Sequence, residues 1–297
     1  MCGKICHMRE ASILLVHAHP DDETINNGAT MAKYVAEGAR VTLVTCTRGE
    51  EGEILVPDLA HLAADKEDDL GPIREVELAN AMAALGVTDH RFLGAPHVKF
   101  RDSGMMGTEA NEKDCFWRAD LDSAAAYLVD IILEVKPDVL ITYDEFGGYG
   151  HPDHIQAHRV AMRAAEIASS RGADGWDIKK IYWNTMPRSV IQKGIDAMKD
   201  SDSSFFGVEK AEDLPFAKPD DLVTSHVDGN AYVDQKMKAM ASHPTQIALD
   251  GPFFALSNQV GLTVWGHEYY TLVKGEASGE RDENGWETDL LAGISLA

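Results

Sequence analysis

A short apolar run that ends in histidines and carboxylates constrains the fold of this chain more than any other feature. Residues 13–16 read Ile-Leu-Leu-Val, and residues 17–23 read His-Ala-His-Pro-Asp-Asp-Glu. A β-rich apolar run of this length is typical of a strand covered on both faces, as in a parallel sheet. Because Pro20 has no amide hydrogen and holds the preceding residue extended, we expect His19 at the carboxyl end of the strand. Open α/β sheets bind their ligands at this edge.

A second segment has the same design. The apolar residues 139–142 precede a polar cluster at 143–154, which reads Tyr-Asp-Glu-Phe-Gly-Gly-Tyr-Gly-His-Pro-Asp-His. If both strands lie centrally in one sheet, the polar groups of both segments project into one crevice. Two imidazoles and a carboxylate on one face can hold a divalent metal and leave positions open for water and substrate. The two segments therefore predict a metal centre.

The order of the remaining elements predicts an α/β fold. Predicted strands alternate with helices, which is typical of right-handed βαβ units and of a mostly parallel, Rossmann-like sheet flanked by helices. The predicted helices are 26–37, 74–85, 121–135 and 152–168, and the predicted strands are 40–46, 90–93, 138–143 and 180–186. In helix 74–85 we expect Val76, Ala79, Ala83 and Leu85 to face inward. The first turn lacks Gly-x-Gly-x-x-Gly, so dinucleotide binding is disfavoured.

A change in composition at residue 187 predicts the domain boundary. Residues 187–230 are rich in turn-forming residues, before a predicted helix at 231–241 and a strand at 268–273. We expect a Rossmann-like catalytic domain over residues 1–186, which begins with a flexible leader at 1–10. A smaller C-terminal lobe over 187–274 then completes the cleft. The acidic residues 275–297 are expected to form a mobile tail.

The charge and the cysteines exclude several classes of partner. The formal net charge is −22, from 49 acidic and 27 basic residues, so phosphate backbones are repelled and nucleic acid is a poor partner. No apolar run approaches the ~20 residues that cross a bilayer, so no membrane contact is expected. Four scattered cysteines and an N-terminus without a secretory apolar core indicate a cytoplasmic protein. The sequence leaves the oligomeric state open.

Taken together, the two polar clusters resemble the PIG-L/LmbE family of metal-dependent deacetylases. The resemblance rests on Ala-His-Pro-Asp-Asp-Glu at 18–23 and His-Pro-Asp-His at 151–154. It extends from about Ser12 to about Gly275. The sequence is most similar to the branch of the family that acts on N-acetylglucosaminyl-inositol in mycothiol biosynthesis. The segments that match this branch include 44–53, 101–105 and 142–151.

The resemblance implies that His19, Asp22 and His154 are the metal ligands. Neutral imidazoles and a carboxylate suit Zn²⁺, and three protein ligands leave room for a reactive water. The same triad also suits Fe²⁺. By spacing alone, His158 competes with His154, one helical turn away. His17 shares the strand face of His19 and is expected to be hydrogen-bonded in the core, or else to support the ligands.

The resemblance also implies the catalytic groups. Asp21 is the implied general base, and Tyr149 is implied to assist the oxyanion, unless it only packs under the glycine turn. His151 has the chemistry to stabilise the tetrahedral intermediate or to protonate the departing amine, with Asp153 orienting its ring. Alternatively, Asp153 is only a favourable charge at a helix N-terminus. Glu23 is expected to be a support residue.

Arg74 and Asp102 match positions that hold sugar and inositol hydroxyls in this branch of the family. An arginine fork and a carboxylate both bind hydroxyls well, although each residue can equally form a surface ion pair. Gln246 and Asn258 also lie in matching segments, without an assigned role.

These features favour zinc-dependent hydrolysis of the N-acetyl amide of a small glucosamine-type substrate, namely N-acetylglucosaminyl-inositol. Two alternatives lie within the family: cleavage of mycothiol S-conjugates and deacetylation of a secondary-metabolite amino sugar. The segment 101–105 argues for the smaller sugar. A non-haem iron oxygenase with the same triad is an alternative of another class. It would require a jelly roll of many short strands, whereas this chain alternates strands with helices.

Overall fold

The computed structural model describes residues 10–198, 208–248 and 266–296. The predicted flexible leader, except for its last residue, and Asn258 lie outside the described residues. Within the described ranges the chain forms one eight-stranded sheet with helices on both faces. None of the described helices is both long enough and apolar enough to cross a bilayer.

The sheet is mostly parallel, and its strand order confirms the predicted Rossmann-like fold. Its strands are β1 (Ser12–His17), β2 (Arg40–Thr45), β3 (Asp89–Phe92), β4 (Val139–Thr142), β5 (Lys180–Pro187), β6 (Ala217–Lys218), β7 (Ser225–Asp228) and β8 (His267–Lys274). They run in the order β3-β2-β1-β4-β5-β8-β7, with β6 also paired to β5. The exception is β8, which runs antiparallel to both β5 and β7. The chain order reverses between β1 and β4, which is where open α/β sheets form their ligand crevice. This sheet is not the jelly roll that the oxygenase alternative requires.

The helices confirm the predicted alternation, with some shifts in their bounds. They are α1 (Asp22–Ala36), α2 (Leu70–Leu85), α3 (Leu121–Val135), α4 (Gly147–Gly150), α5 (Pro152–Ser170), α6 (Arg188–Met198) and α7 (Val233–Ala241). The first helix begins at Asp22 rather than at residue 26. Asp22 and Glu23 therefore lie in the first turn of a helix, where its dipole stabilises carboxylates.

Both faces of β1 are covered by helices. Leu14 and Val16 pack in a core that contains residues of α3 and α5, whereas Ile13 and Leu15 pack in the core of α1 and α2. All four side chains are at most 1% exposed. Since burial of one aliphatic side chain stabilises a fold by roughly 1.5–3 kcal/mol, this strand anchors both layers.

The prediction of which residues of α2 face inward is wrong. Val76 is 60% exposed, and Ala79 and Ala83 are also exposed, so only Leu85 of the four predicted residues is buried. Two charged residues, Arg74 and Glu77, take part of the inner face instead. They face inward because their partners are polar: the Gly49 carbonyl for Arg74, and the Thr245 amide and hydroxyl for Glu77. A hydrophobic pattern does not reveal partners of this kind.

The prediction of a mobile acidic tail is also wrong. Glu287 and Leu290 are fully buried. The Glu287 carboxylate pairs with buried Lys180 and accepts hydrogen bonds from the Tyr182 hydroxyl at 2.6 Å and the Ser278 amide at 2.8 Å. The segment is acidic, but one of its carboxylates neutralises a lysine in the sheet. Strands on both sides of the predicted boundary at residue 187 also pair with each other, since β5 pairs with β8.

Replacement of Glu287 by alanine is expected to lower the free energy of unfolding by about 3–5 kcal/mol, because Lys180 is left as a buried charge without its partner. Urea unfolding measures this change. Glu283 is an exposed acid in the same segment. Its replacement by alanine is the matched control and is expected to change stability by less than about 0.5 kcal/mol. Equal stabilities for the two variants would contradict the buried role of the tail.

Candidate metal centre and active site

A cavity of about 690 Å³ lies at the carboxyl ends of β1 and β4, within the usual size of a small-molecule site. Eight of the nine predicted site residues line it: His19, Asp21, Asp22, Arg74, Asp102, Tyr149, His151 and His154. The ninth, Asp153, is fully buried behind them. The structure therefore brings the two polar segments together, as the sequence predicts.

Asp22 lies between the two imidazole rings of the predicted ligand set. Its Oδ2 is 3.2 Å from His19 Nδ1, and its Oδ1 is 3.3 Å from His154 Nε2. The same carboxylate accepts a hydrogen bond from the His19 amide at 2.9 Å, which fixes the turn between β1 and α1. Burial alone would raise the pKa of Asp22, but the contacts with His154 and His19 outweigh it and hold this pKa well below the ordinary value.

The ring of His154 is oriented so that one nitrogen is available to a cation. Its Nδ1 donates to the Gly147 carbonyl at 3.1 Å, so Nε2 of the neutral ring carries a lone pair. That nitrogen is buried and has no hydrogen-bond partner among the described residues. A lone pair that faces a carboxylate is unfavourable without a positive charge between them. The donor set therefore fits a divalent cation.

Glycine is required beside His154. Gly147 has a φ of +64°, and a Cβ there would lie 2.6 Å from the Cβ of His154. The ring of His154 also stacks on Tyr143, with centroids 4.3 Å apart and an interplanar angle of 22°. The glycine turn and the tyrosine together fix the ring.

The other edge of the His19 ring faces Asp153. His19 Nε2 is 3.2 Å from Asp153 Oδ2, and Ser103 binds the Asp153 carboxylate through its amide at 2.9 Å and through its hydroxyl. The expectation that Asp153 orients the ring of His151 is thus wrong. The side chain lies on His19 because Ser103 supplies two donors that fix it there. A carboxylate on the far edge of a ligating histidine sets its orientation and basicity.

His151 contacts Asp153 through the backbone. It caps the N-terminus of α5, where its Nδ1 accepts a hydrogen bond from the Asp153 amide at 3.2 Å. Burial and the neighbouring His19 and His154 lower the pKa of His151 to about 2. The ring is therefore neutral at pH 7, with its proton on Nε2. Its centroid is 4.7 Å from that of His19.

Asp21 has an unusual backbone, with a φ of 126°, which a residue with a side chain rarely adopts. Its side chain is 17% exposed and lies 3.2 Å from the Arg74 guanidinium. Burial, together with the charge of Asp22, raises the pKa of Asp21 to about 6 in spite of Arg74. A carboxylate with a pKa near the working pH is suited to proton transfer.

Tyr149 stands at the mouth of the cavity. It is 42% exposed, and its ring lies edge-on to His154 with centroids 5.0 Å apart. It is not packed under the glycine turn, so that alternative is wrong. Burial of its hydroxyl raises the pKa of Tyr149 above the usual value, which keeps the phenol protonated and able to donate.

Arg74 and Asp102 are buried, not surface ion pairs. Arg74 is 2% exposed and donates to the carbonyls of Gly49, at 2.9 Å, and of Pro20. Asp102 is 4% exposed and accepts from the amides of Glu51 at 3.2 Å and Gly104 at 2.8 Å. Arg74 thus supports the turn that holds Asp21, and both residues also face the cavity.

Two further histidines, His17 of the first segment and His158 of α5, point away from the cavity. His17 is buried, and its Nε2 lies 2.7 Å from Asn27 Oδ1, as expected for a hydrogen-bonded core residue. His158 Nδ1 donates to the Tyr143 carbonyl at 2.9 Å, and its ring packs against Trp183. His158 is therefore directed away from the other rings.

Sequence reasoning missed three residues that support the site. Tyr143 accepts a hydrogen bond from the Ala18 amide at 2.9 Å and thereby ties the two segments together. Its place directly after β4 was a signal. Ser103 lies in the matching segment 101–105, which was also a signal, whereas no local pattern marks His243. His243 Nε2 lies 3.1 Å from Glu23 Oε1, and Glu23 accepts from the Asp21 amide at 2.9 Å, in keeping with a supporting role.

Known proteins share both the sequence and the fold of this chain. The family described as "PIG-L: GlcNAc-PI de-N-acetylase" matches residues 14–165. A relative from Catenulispora acidiphila is named 1D-myo-inositol 2-acetamido-2-deoxy-alpha-D-glucopyranoside deacetylase 1. The two sequences are 60% identical over 294 residues, and the match covers 96% of this chain and 90% of the relative.

Two solved structures have a similar fold at low identity. One is the N,N'-diacetylchitobiose deacetylase from Pyrococcus horikoshii, with a TM-score of 0.58, 18% identity, and coverage of 89% of this chain and 84% of that one. The other is GalB, the 4-carboxy-2-hydroxymuconate hydratase from Pseudomonas putida KT2440, with a TM-score of 0.59, 19% identity, and coverage of 92% and 100%. At this identity they show the fold alone. The family match over half the chain and the close relative over nearly all of it go further: this chain belongs to the PIG-L family.

Proposed function

We propose that the protein is a metal-dependent N-deacetylase that hydrolyses the acetamide of N-acetylglucosaminyl-inositol. The observation that carries the proposal is the convergence of His19, Asp22 and His154 beside a separate carboxylate, Asp21, whose pKa is raised to about 6. The name of the relative that is 60% identical supports the choice of substrate.

His19, Asp22 and His154 would hold the cation, which we propose to be Zn²⁺, with Fe²⁺ as the other ion that this donor set suits. The buried Nε2 of His154, which lacks a hydrogen-bond partner in the described ranges, supports this assignment. When bound, a divalent cation activates water and polarises the amide carbonyl. Asp153, through His19, keeps one ligand ring in place.

The chain's own residues then move the protons. Asp21 accepts a proton from the attacking water, and the same proton is available to the departing amine when the C–N bond breaks. Tyr149 donates its hydroxyl hydrogen to the carbonyl oxygen as that oxygen becomes anionic, and the Nε2–H of His151 can do the same. The products are acetate and the free amine. His151 is better suited to stabilise the oxyanion than to act as an acid, because its ring is neutral.

We assign the sugar hydroxyls to the half of the cavity near Arg74 and Asp102. Both side chains line the cavity, and their hydrogen bonds to backbone groups hold them in fixed positions. Preorganised polar groups of this kind recognise hydroxyls without a cost for ordering them.

The substrate assignment is tested by incubating metal-loaded protein with N-acetylglucosaminyl-inositol, N-acetylglucosamine and a mycothiol S-conjugate. Release of primary amine measures turnover. We expect kcat/KM for N-acetylglucosaminyl-inositol to exceed that for N-acetylglucosamine by at least about 10-fold, because binding energy from the inositol contributes to the transition state. Preference for the S-conjugate would instead identify an amidase, and no amine from any of the three would contradict the proposed function.

Replacement of Asp21 by asparagine is expected to lower kcat by about 10²- to 10⁴-fold, the usual contribution of a general base. Its metal content, measured by elemental analysis, should equal that of the wild type, because Asp21 is not among the proposed ligands. Wild-type turnover in this variant would contradict the general-base assignment.

Replacement of His154 by alanine is expected to weaken metal affinity by at least about 10-fold, because one of three protein ligands is removed. Titration with Zn²⁺ against a competing chelator measures the affinity. His158→Ala is the matched control: it removes an imidazole one turn along the same helix whose Nδ1 binds the Tyr143 carbonyl. It should keep the wild-type affinity. Equal losses in both variants would contradict the proposed ligand set.

A further inference from the structure

We propose that His243 is a positioning residue for the general base: through the Glu23 carboxylate it holds the backbone of Asp21 in the conformation that directs its side chain away from Asp22. This inference rests on the proposed function, since it takes Asp21 to be the base. His243 touches neither the proposed ligands nor the cavity.

The backbone of Asp21 requires support. Its φ of 126° and ψ of −36° lie in a region that residues with a side chain rarely occupy, at a cost of about 1–3 kcal/mol. This conformation has a chemical consequence. It allows two consecutive carboxylates to diverge, with Asp22 facing His19 and His154 while Asp21 faces Arg74. A relaxed backbone at this position would direct the base elsewhere.

Glu23 supplies the support. Its Oε2 accepts a hydrogen bond from the Asp21 amide at 2.9 Å, and its Oε1 accepts from the Thr24 hydroxyl at 2.6 Å. Glu23 is fully buried, so its carboxylate needs further compensation. His243 Nε2 provides it at 3.1 Å from Oε1. Without this donor, the free energy of the buried carboxylate would favour its reorientation, and the Asp21 amide would lose its acceptor.

Among the described residues, the His243 ring forms its hydrogen bond with Glu23 alone. His243 is fully buried, and its other ring nitrogen, Nδ1, has no hydrogen-bond partner among the described residues. A buried polar atom without a hydrogen-bond partner costs free energy. This cost indicates that the contact with Glu23 determines the position of the ring, and not the hydrogen-bonding needs of Nδ1.

His243 is itself held on a rigid turn. The turn follows α7, and the His243 carbonyl accepts from the amides of Gln246 at 3.0 Å and Ile247 at 2.8 Å. Two residues further on, Thr245 binds Glu77 of α2 through its amide at 3.0 Å and its hydroxyl at 2.6 Å. His243, which lies 220 residues after Glu23 in the chain, thus contacts the turn after β1 from a fixed position.

Two substitutions of His243 separate the effect of the Nε2 hydrogen-bond donor from the effect of the size of the ring. In His243→Gln the amide nitrogen takes the place of Nε2 and can still donate to Glu23, whereas in His243→Asn the shorter amide takes the place of Nδ1. We expect His243→Asn to lower kcat about 10-fold or more with KM and metal content unchanged, because small misplacements of a base are costly. His243→Gln should retain kcat within about 3-fold, which amounts to rescue by the variant that keeps the donor.

A double-mutant cycle tests whether His243 acts through Asp21. In the Asp21→Asn background, His243→Asn is expected to cause no further loss of residual turnover, because the base that it positions is already absent. A residue with a merely structural role would lower turnover equally in both backgrounds, and that result would overturn the proposal.

A second readout does not depend on turnover. Amide hydrogen exchange at Asp21, followed by NMR, should become faster in His243→Asn and remain at the wild-type rate in His243→Gln. Ser242→Ala is the matched control, because Ser242 precedes His243 in the same turn but its hydroxyl binds the Lys238 carbonyl. It should leave both kcat and the exchange at Asp21 unchanged.

The outcomes keep the two proposals apart. If Asp21→Asn retains wild-type turnover, the proposed base is wrong, and the exchange rate at Asp21 still decides whether His243 holds that backbone. If Asp21→Asn loses turnover but His243→Asn matches the wild type in both kcat and exchange, the positioning role is wrong. Should His243→Asn not fold, a fall in kcat and faster exchange at Asp21 in His243→Gln would equally contradict the role of the donor.

Discussion

The parallel pairing of β1 with β4 is the constraint on which the site depends. Ile13 lies opposite Val139 and Leu15 opposite Ile141, so the chain leaves both strands at the same edge of the sheet. The pairing is maintained by apolar residues buried on both faces of the two strands. Polar groups more than a hundred residues apart in sequence thereby meet, as the contact of the Tyr143 hydroxyl with the Ala18 amide illustrates.

The environment separates the roles of two neighbouring carboxylates. Asp22 is held between two imidazoles, which keeps its pKa low, whereas burial raises the pKa of Asp21 to about 6. Groups whose pKa values are driven apart in this way are typical of sites that transfer protons. The backbone strain at Asp21 is what allows two adjacent residues to have such different surroundings. The fold alone does not imply this chemistry, since a hydratase shares it.

Buried charged contacts attach the C-terminal part of the chain to the catalytic half. Glu268 of β8 pairs with Lys236 of α7 at 2.7 Å and accepts from the amides of Ala29 and Thr30 in α1. Glu287 likewise pairs with Lys180 of β5. Such contacts are strongly destabilising to break, because a buried charge loses its counter-charge. Although this part of the chain is acidic overall, a few of its carboxylates are buried and stabilise the fold.

The sequence by itself determined the parallel α/β sheet and the meeting of the two polar segments at one edge, because apolar runs that end in polar clusters are local signals. The family resemblance added the proposed ligands His19, Asp22 and His154 as well as Asp21 and Tyr149, and all five line the same cavity. Only the tertiary structure decided that Asp153 faces His19, that charged residues take part of the inner face of α2, and that Glu287 is buried. It alone also placed His243 against Glu23. These contacts pair single polar groups that are far apart in the chain, and such pairs leave no periodic pattern in the residues around them.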